Sequence, residues 1–217
     1  MTIRILIADD QRGIRDAFRM ILEAQPDMTV VAESPDGSDA LDQARRLRPD
    51  VVLADIRMPG LDGLELTREL AGPEVANPIR VIVVTTFELD EYVHTALRNG
   101  ACGFLLKRSG PTLLVEAIRA AMAGDTLISP QLTVRLLQRL GTDAARTTDA
   151  KLSERELDVV KLIARGKTNA EIAADLFITA GTVKNHAASI ARKLNAPNRV
   201  AIAAWAWSTG RADAGRL

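Results

Sequence analysis

The 217-residue chain is 47% hydrophobic and 26% charged with no net charge at neutral pH, the make-up of a globular chain long enough for two domains rather than of a disordered or fibrous one. No apolar run approaches the ~18 residues of a membrane span, and the opening MTIRILIADD lacks a signal-peptide pattern; the single cysteine, Cys102, sets the expectation of a reducing compartment, the cytoplasm. The zero charge divides unevenly: residues 151–217 carry eleven basic against six acidic side chains, +5, leaving −5 on residues 1–150. A basic rear segment behind an acidic front one points to a polyanion partner for the former.

Residues 1–123 alternate short apolar runs with helical patterns. The runs predict strands near 3–8, 28–32, 50–54, 80–84 and 102–106; the patterns between them predict helices near 12–24, 37–47, 62–71, 89–99 and 111–123. Five such βα units make an α/β, doubly wound parallel sheet, and the order 2-1-3-4-5 sets the ends of strands 1 and 3 side by side. Cys102, in the last of these runs, reads as a small buried hydrophobe of a protein kept in a reducing compartment.

The first run ends at Asp9-Asp10, and the third, Val51-Val52-Leu53-Ala54, ends at Asp55 ahead of Met58-Pro59-Gly60. Strand carboxyl ends are where open α/β sheets bind ligands. Three carboxylates meeting there repel one another unless a hard cation such as Mg²⁺ lies between them, while acids that merely cap helices or sit solvated in loops need no ion.

Asp9-Asp10, Asp55 with Met58-Pro59-Gly60, Thr85 after Val81-Ile82-Val83-Val84, and Lys107 after Phe104-Leu105-Leu106 resemble the receiver domain of two-component response regulators, a flavodoxin-like (βα)5 fold. Thr85 and Lys107 stand 30 and 52 residues after Asp55, as that family requires. The resemblance implies that Asp55 accepts a phosphoryl group from a sensor histidine kinase. It further implies that Asp9, Asp10, Asp55 and the backbone carbonyl of Arg57 hold Mg²⁺, that Lys107 pairs with a phosphoryl oxygen, and that the Thr85 hydroxyl turns toward the phosphoryl group. Phe104 takes the place of the aromatic that turns inward behind that threonine. The face made by residues 89–123 is then the family's usual dimerisation surface, with His94 a surface residue on it. Arg57 and Phe87 flank the acceptor; Phe87 offers an attacking water neither a hydrogen bond nor a base, so the acyl phosphate is expected to hydrolyse slowly unless Arg57 orients that water.

Between 124 and 150 the pattern changes. Ser129-Pro130 with Val134, Leu136, Leu137 and Leu140 predicts a short helix, and residues 141–150 read as an exposed linker.

From 151 the chain is all helical by period. Ser153-Glu154-Arg155-Glu156 and Thr168-Asn169-Ala170-Glu171 are capping boxes that start two helices, with Leu157, Val160, Ile163 and Ala164 as the buried stripe of the first and Ile172, Ala173 and Leu176 of the second. After a tight turn at Phe177-Ile178, Thr179 caps a third helix that runs to Leu194. At about 100° per residue, Val183, Ala187, Ile190, Ala191 and Leu194 share its inner face, with Lys184, Asn185, Ala188 and Arg192 opposite. Two cations, an amide and a small residue on one exposed face suit the DNA major groove.

Residues 152 to about 207 resemble the LuxR-type helix-turn-helix, carried by Leu152 to Glu156, Thr168 to Ala173 and Thr182 to His186, so an all-α four-helix domain over 151–217 is expected. Lys184 and Asn185 are candidates for base or phosphate contact, and Lys167, Thr168, Asn169, Thr182, Arg192 and Lys193 for phosphate contact. Ala187-Ala188 departs from the family's larger residues. A last helix near 198–208 carries Trp205 and Trp207, about 200° apart, so that one indole is core and the other, beside Ala203 and Ala206, is offered to a homodimer contact. Together the two resemblances imply a phosphorylation-controlled transcription regulator of the NarL/FixJ class that binds double-stranded DNA as a dimer. The rivals are a DNA-binding regulator whose receiver is a phosphorylation-independent scaffold, and a Mg²⁺-dependent phosphohydrolase. The latter needs a second carboxylate two residues after the nucleophile, where Arg57 stands.

Overall fold

The structure, a computed structural model, describes residues 2–86, 90–128 and 152–212, apart from the side chains at 90, 91, 128, 207 and 208. Phe87, the helix expected over 129–140, the linker over 141–150 and the Trp207 side chain lie outside that description.

Strands β1 (Ile3–Ala8), β2 (Met28–Ser34), β3 (Val51–Ala54), β4 (Arg80–Thr85), β5 (Gly103–Leu106) and β6 (Leu127–Ile128) form one parallel sheet in the order β2-β1-β3-β4-β5-β6. The first five strands follow the expected order; the two-residue β6, which no sequence pattern announces, carries the sheet past residue 123. Helices α1 (Arg12–Glu23), α2 (Gly37–Leu47), α3 (Gly63–Ala71), α4 (Asp90–Arg98) and α5 (Pro111–Ala123) cross over between the strands. Because strand side chains alternate between faces, Ile5 and Ile7 pack with Phe18, Leu22, Leu114 and Ile118 beneath α1 and α5. Leu6 and Ala8 point the other way, into a core with Ala40, Ala44, Leu66 and Leu70 of α2 and α3.

The second unit has helices α6 (Glu154–Ala164), α7 (Asn169–Leu176), α8 (Ala180–Leu194) and α9 (Arg199–Ser208). Both capping boxes form: the Glu156 amide donates to Ser153 and the Ser153 amide to Glu156, and Thr168 and Glu171 do the same at α7. Thr179 caps α8 by accepting from the Thr182 amide. Val160, Ile163, Ile172, Val183, Ile190, Ile202 and Trp205 make the core. Val159 and Leu162 join it although they lie off the expected stripe, because α6 is packed by α7, α8 and α9 together and so buries a wider face. Trp205 is the core indole, with the Arg211 guanidinium 4.9 Å from its ring centre. Ala206 is fully buried beside it and so offers no surface for the expected dimer contact: both residues sit on the side of α9 that faces α6 and α8.

Candidate phosphoacceptor site and nucleic-acid interface

The strand ladders run on past the strand ends and fix the acids. The Asp9 amide donates to Ser34 O (3.0 Å), the Asp55 amide to Ala8 O (2.9 Å) and the Lys107 amide to Thr85 O (2.9 Å), so positions 9, 55, 85 and 107 sit together at the carboxyl edge of the sheet. Gly63, at the start of α3, donates to Ile56 O at 2.9 Å and lies so close that a Cβ there would be 1.9 Å from Asp55 O; only glycine lets the helix close the loop that holds Asp55.

Asp9, Asp10 and Asp55 each place a carboxylate oxygen within 4.8 Å of the others, with Asp9 and Asp55 buried and Asp10 exposed. Lys107 is buried between two of them, its ammonium 2.6 Å from Asp9 and 2.9 Å from Asp55. Burial raises the Asp9 carboxyl above the usual range, with the Lys107 hydrogen bond opposing. Burial works against the Lys107 charge too, but the hydrogen bonds to Asp9 and Asp55 outweigh it and its ammonium is held above its ordinary value. A cleft lined by Asp10, Arg57, Met58, Asp62 and Tyr92 opens beside the acids. Thr85 is buried at the end of β4. Phe104 is fully enclosed with Val83, Val93, Ala96 and Leu97, and Val200 of α9 packs on the same cluster. A turn of that ring is therefore a rearrangement inside packed core rather than the burial of an exposed aromatic. His94 is exposed, as expected. Cys102 is half-buried against Val81 O, and burial pushes its thiol up to about 12, so it is inert at neutral pH.

The expected DNA-contact residues divide. Lys184, Asn185, Ala188 and Arg192 lie on the exposed face of α8. Thr182 bonds back to Thr179, and Lys167 pairs with Asp175 at 2.5 Å. Lys193 reaches Glu156 at 2.6 Å and braces α8 on α6. Burial opposes the Glu156 charge, but hydrogen bonds from Lys193, the Ser153 amide and Ser189 overcome it and bring the carboxyl down to about 2. Asn169 is almost fully buried, because the sheet domain covers it.

The two units touch, the arrangement in which the acidic receiver covers the DNA-binding domain, and the contact is made by residues that carry no such signal in the sequence. Asp125, just past the end of α5, accepts from the Asn169 amide (3.1 Å), while Asn169 Nδ2 donates to Ala123 O (3.0 Å) and Lys184 Nζ to Met122 O (3.3 Å). Arg199 donates to Asn169 Oδ1 (2.7 Å) and to Lys167 O and lies 3.5 Å from Asp125. On the other side of the contact, Asn198 donates to Leu97 O, in the last turn of α4, and to Ala101 O (3.2 Å), while accepting from the Ala201 amide at 3.0 Å as an N-cap does. A cleft lined by Arg80, Asp125, Lys184, Ala187, Ala188 and Ala191 separates α8 from the sheet domain, so Lys184 and Ala188 of the face suited to the major groove are turned toward it, while Asn185 and Arg192 do not line it. Asp125, Asn198 and Arg199 were missed by sequence reasoning. Asn198 ahead of an apolar helix carries a capping signal, but nothing local marks any of the three as a contact between domains.

An acid cluster held by a lysine at the edge of a doubly wound sheet, joined to a basic helix-turn-helix, defines a two-domain DNA-binding signalling protein. Residues 5–119 match the response regulator receiver domain and residues 150–206 match the bacterial regulatory proteins of the luxR family; the chain belongs to the LuxR-type response regulators, DNA-binding transcription regulators rather than enzymes. It is 39% identical over 205 residues to the transcriptional regulatory protein LiaR of Bacillus subtilis strain 168, covering 94% of this chain and 96% of that one. Among solved structures it resembles the response regulator ChrA of a heme-sensing two-component system (35% identity, TM-score 0.53, 97% and 98% covered). It also resembles RcsB of Salmonella enterica serovar Typhimurium, solved bound to a promoter in the presence of a phosphomimetic (26% identity, TM-score 0.57, 96% and 100% covered).

Proposed function

We propose that Asp55 takes a phosphoryl group from a sensor histidine kinase, and that its occupancy decides whether the LuxR-type domain stays docked on the receiver or is free to bind promoter DNA as a dimer. The observation that carries this reading is the buried Lys107 joined at once to Asp9 and Asp55, with a third acid in reach and an open cleft beside them. An Asp55 oxygen attacks the phosphorus, the kinase's histidine nitrogen leaves with its bonding pair, and a mixed anhydride forms. In this reading Lys107 follows the arriving negative charge, and the Thr85 hydroxyl donates to a phosphoryl oxygen. The acids at 9, 10 and 55 are all hard oxygen donors and fit Mg²⁺, with the Arg57 carbonyl as a fourth ligand; when bound, the ion supplies neutralisation of the phosphoryl charge.

Release of the DNA-binding domain and dimerisation become one event in this reading. Asn198 and Val200 of the DNA-binding domain sit on α4 and its cluster, part of the face that the resemblance assigns to dimerisation. A shift of α4 that follows phosphorylation weakens the docking, and undocking frees both α8 for DNA and α4 for a second copy. Lys184 and Asn185 then face bases, with Lys167, Thr168, Asn169, Thr182, Arg192 and Lys193 near phosphates and Ala188 allowing close approach of the helix. The protein acts in the cytoplasm, where its DNA lies; no helix among the described residues is long and apolar enough to cross a membrane.

The test is to treat the protein with a small acyl-phosphate donor and Mg²⁺, then to measure mass, oligomeric state and duplex-DNA affinity beside Asp55→Asn. One phosphoryl group is expected on the parent and none on the variant, with tighter DNA binding and dimer only in the parent. Equal phosphoryl incorporation in both, or DNA affinity indifferent to it, refutes the proposal.

A further inference from the structure

The segment that follows the last turn of α5 presents three oxygens to the DNA-binding domain: Met122 O, Ala123 O and the Asp125 carboxylate. Two of these are carbonyls at the negative end of a helix, left without intrahelical partners. Their donors are Lys184 Nζ, Asn169 Nδ2 and the Asn169 amide, which is the first amide of α7 and lies at that helix's positive end. Both donor residues belong to the set placed against DNA on sequence grounds. Gly124 is in the left-handed region at φ +86°, which bends the chain so that Asp125 points back at α7, and a Cβ at 124 would lie 3.3 Å from Asn169 Nδ2. The carboxylate also has the Arg199 guanidinium 3.5 Å away. An anion lodged at a helix N-terminus, flanked by a guanidinium, has the setting of a bound phosphodiester.

We propose that residues 122–125 act as an internal surrogate for a DNA strand, with Asp125 occupying the place of a backbone phosphate at the N-terminus of α7, so that docking and DNA binding compete for the same donors. This rests on the proposed function and names its restraint at residue level. It also assigns Arg199, which is not among the sequence-derived contacts, to the phosphate side of the DNA interface. The competition has a direction: DNA displaces Asp125 only by opening the molecule, and opening is what phosphorylation favours. By linkage each therefore promotes the other.

The test measures binding of the full chain to a short mixed-sequence duplex at low salt by fluorescence anisotropy, with and without prior phosphorylation, for the parent, Asp125→Ala and the isosteric Asp125→Asn. Unphosphorylated Asp125→Ala should bind about tenfold tighter than the unphosphorylated parent, equivalent to about 1.4 kcal/mol. Asp125→Asn keeps an acceptor but loses the charge and should fall between them. Once phosphorylated, parent and variants should bind alike, since the surrogate is already displaced. Unchanged affinity of both unphosphorylated variants overturns the proposal. So does an equal gain in both states when phosphorylation does tighten the parent's own binding, which is the signature of net charge alone. If phosphorylation leaves the parent's affinity unchanged while Asp125→Ala still gains tenfold, the competition stands and phosphorylation control fails.

Discussion

Replacing Lys107 with methionine removes the cation that separates two buried carboxylates while keeping most of the side chain's bulk. The ammonium lies 2.6 and 2.9 Å from Asp9 and Asp55, and all three side chains are at most 5% exposed. At an effective dielectric near 20 each pair is worth about 6 kcal/mol of attraction, most of it cancelled by the cost of drying the three charges. Breaking buried pairs of this kind leaves an uncompensated charge and costs about 3–5 kcal/mol; because the cleft at Asp10 admits water, about 3 kcal/mol is expected. That is a large share of the ~5–15 kcal/mol that holds a domain folded. Mg²⁺ should restore what the lysine supplied, since an ion at a hundredfold excess over its dissociation constant stabilises by about 2.7 kcal/mol. The assay is urea unfolding followed by circular dichroism with and without Mg²⁺. A variant that unfolds at the parent's urea concentration, or that Mg²⁺ stabilises no more than the parent, refutes the account of Lys107 as the acids' built-in counter-charge.

Three further outcomes follow from local geometry. Gly63→Ala puts a Cβ 1.9 Å from Asp55 O, so the β3–α3 loop must move; a loss of at least ~2 kcal/mol and a slower phosphoryl uptake at Asp55 are expected, read by mass after timed exposure to a phosphodonor. The Glu156 carboxyl, held down to about 2 against an ordinary 4.5, contributes stability that is fully present above that ordinary value and is lost as pH falls through about 2. Glu156→Gln should therefore cost ~2 kcal/mol at neutral pH and flatten the acid loss in the DNA-binding domain, followed by tryptophan fluorescence, since both tryptophans lie there. Asn198→Ala removes an N-cap from α9, worth ~1 kcal/mol, together with two bonds to the end of α4; amide exchange at residues 97–101 should speed up in the unphosphorylated protein, and unchanged exchange there would count against α4 as a docking element.

The positions of the chemistry were legible because they follow local rules. Apolar runs that end in acids place Asp9, Asp10 and Asp55 at strand ends, and a parallel sheet of known order then brings those ends together whatever the rest of the sequence does. Ser153 and Thr168, each three residues ahead of a glutamate, start helices by satisfying their first amides, and the 3.6-residue period sorts Val183, Ile190 and Leu194 from Lys184, Asn185 and Arg192. Single-residue fates were less legible. Lys193, a candidate for phosphate contact, is also held by Glu156 from another helix; Phe104, whose core and switch roles are compatible, lies inside because α4 and Val200 close over it.

The docking of one domain on the other is what tertiary structure alone decided. Asp125 meets Asn169 across 44 residues, Lys184 reaches Met122 across 62, and Asn198 reaches Leu97 across 101. Periodicity records which side of a helix is apolar, since that side must leave water wherever the helix packs. A polar group at the edge of one folded unit carries no such mark, and its partner is set only when two finished surfaces come to rest against each other.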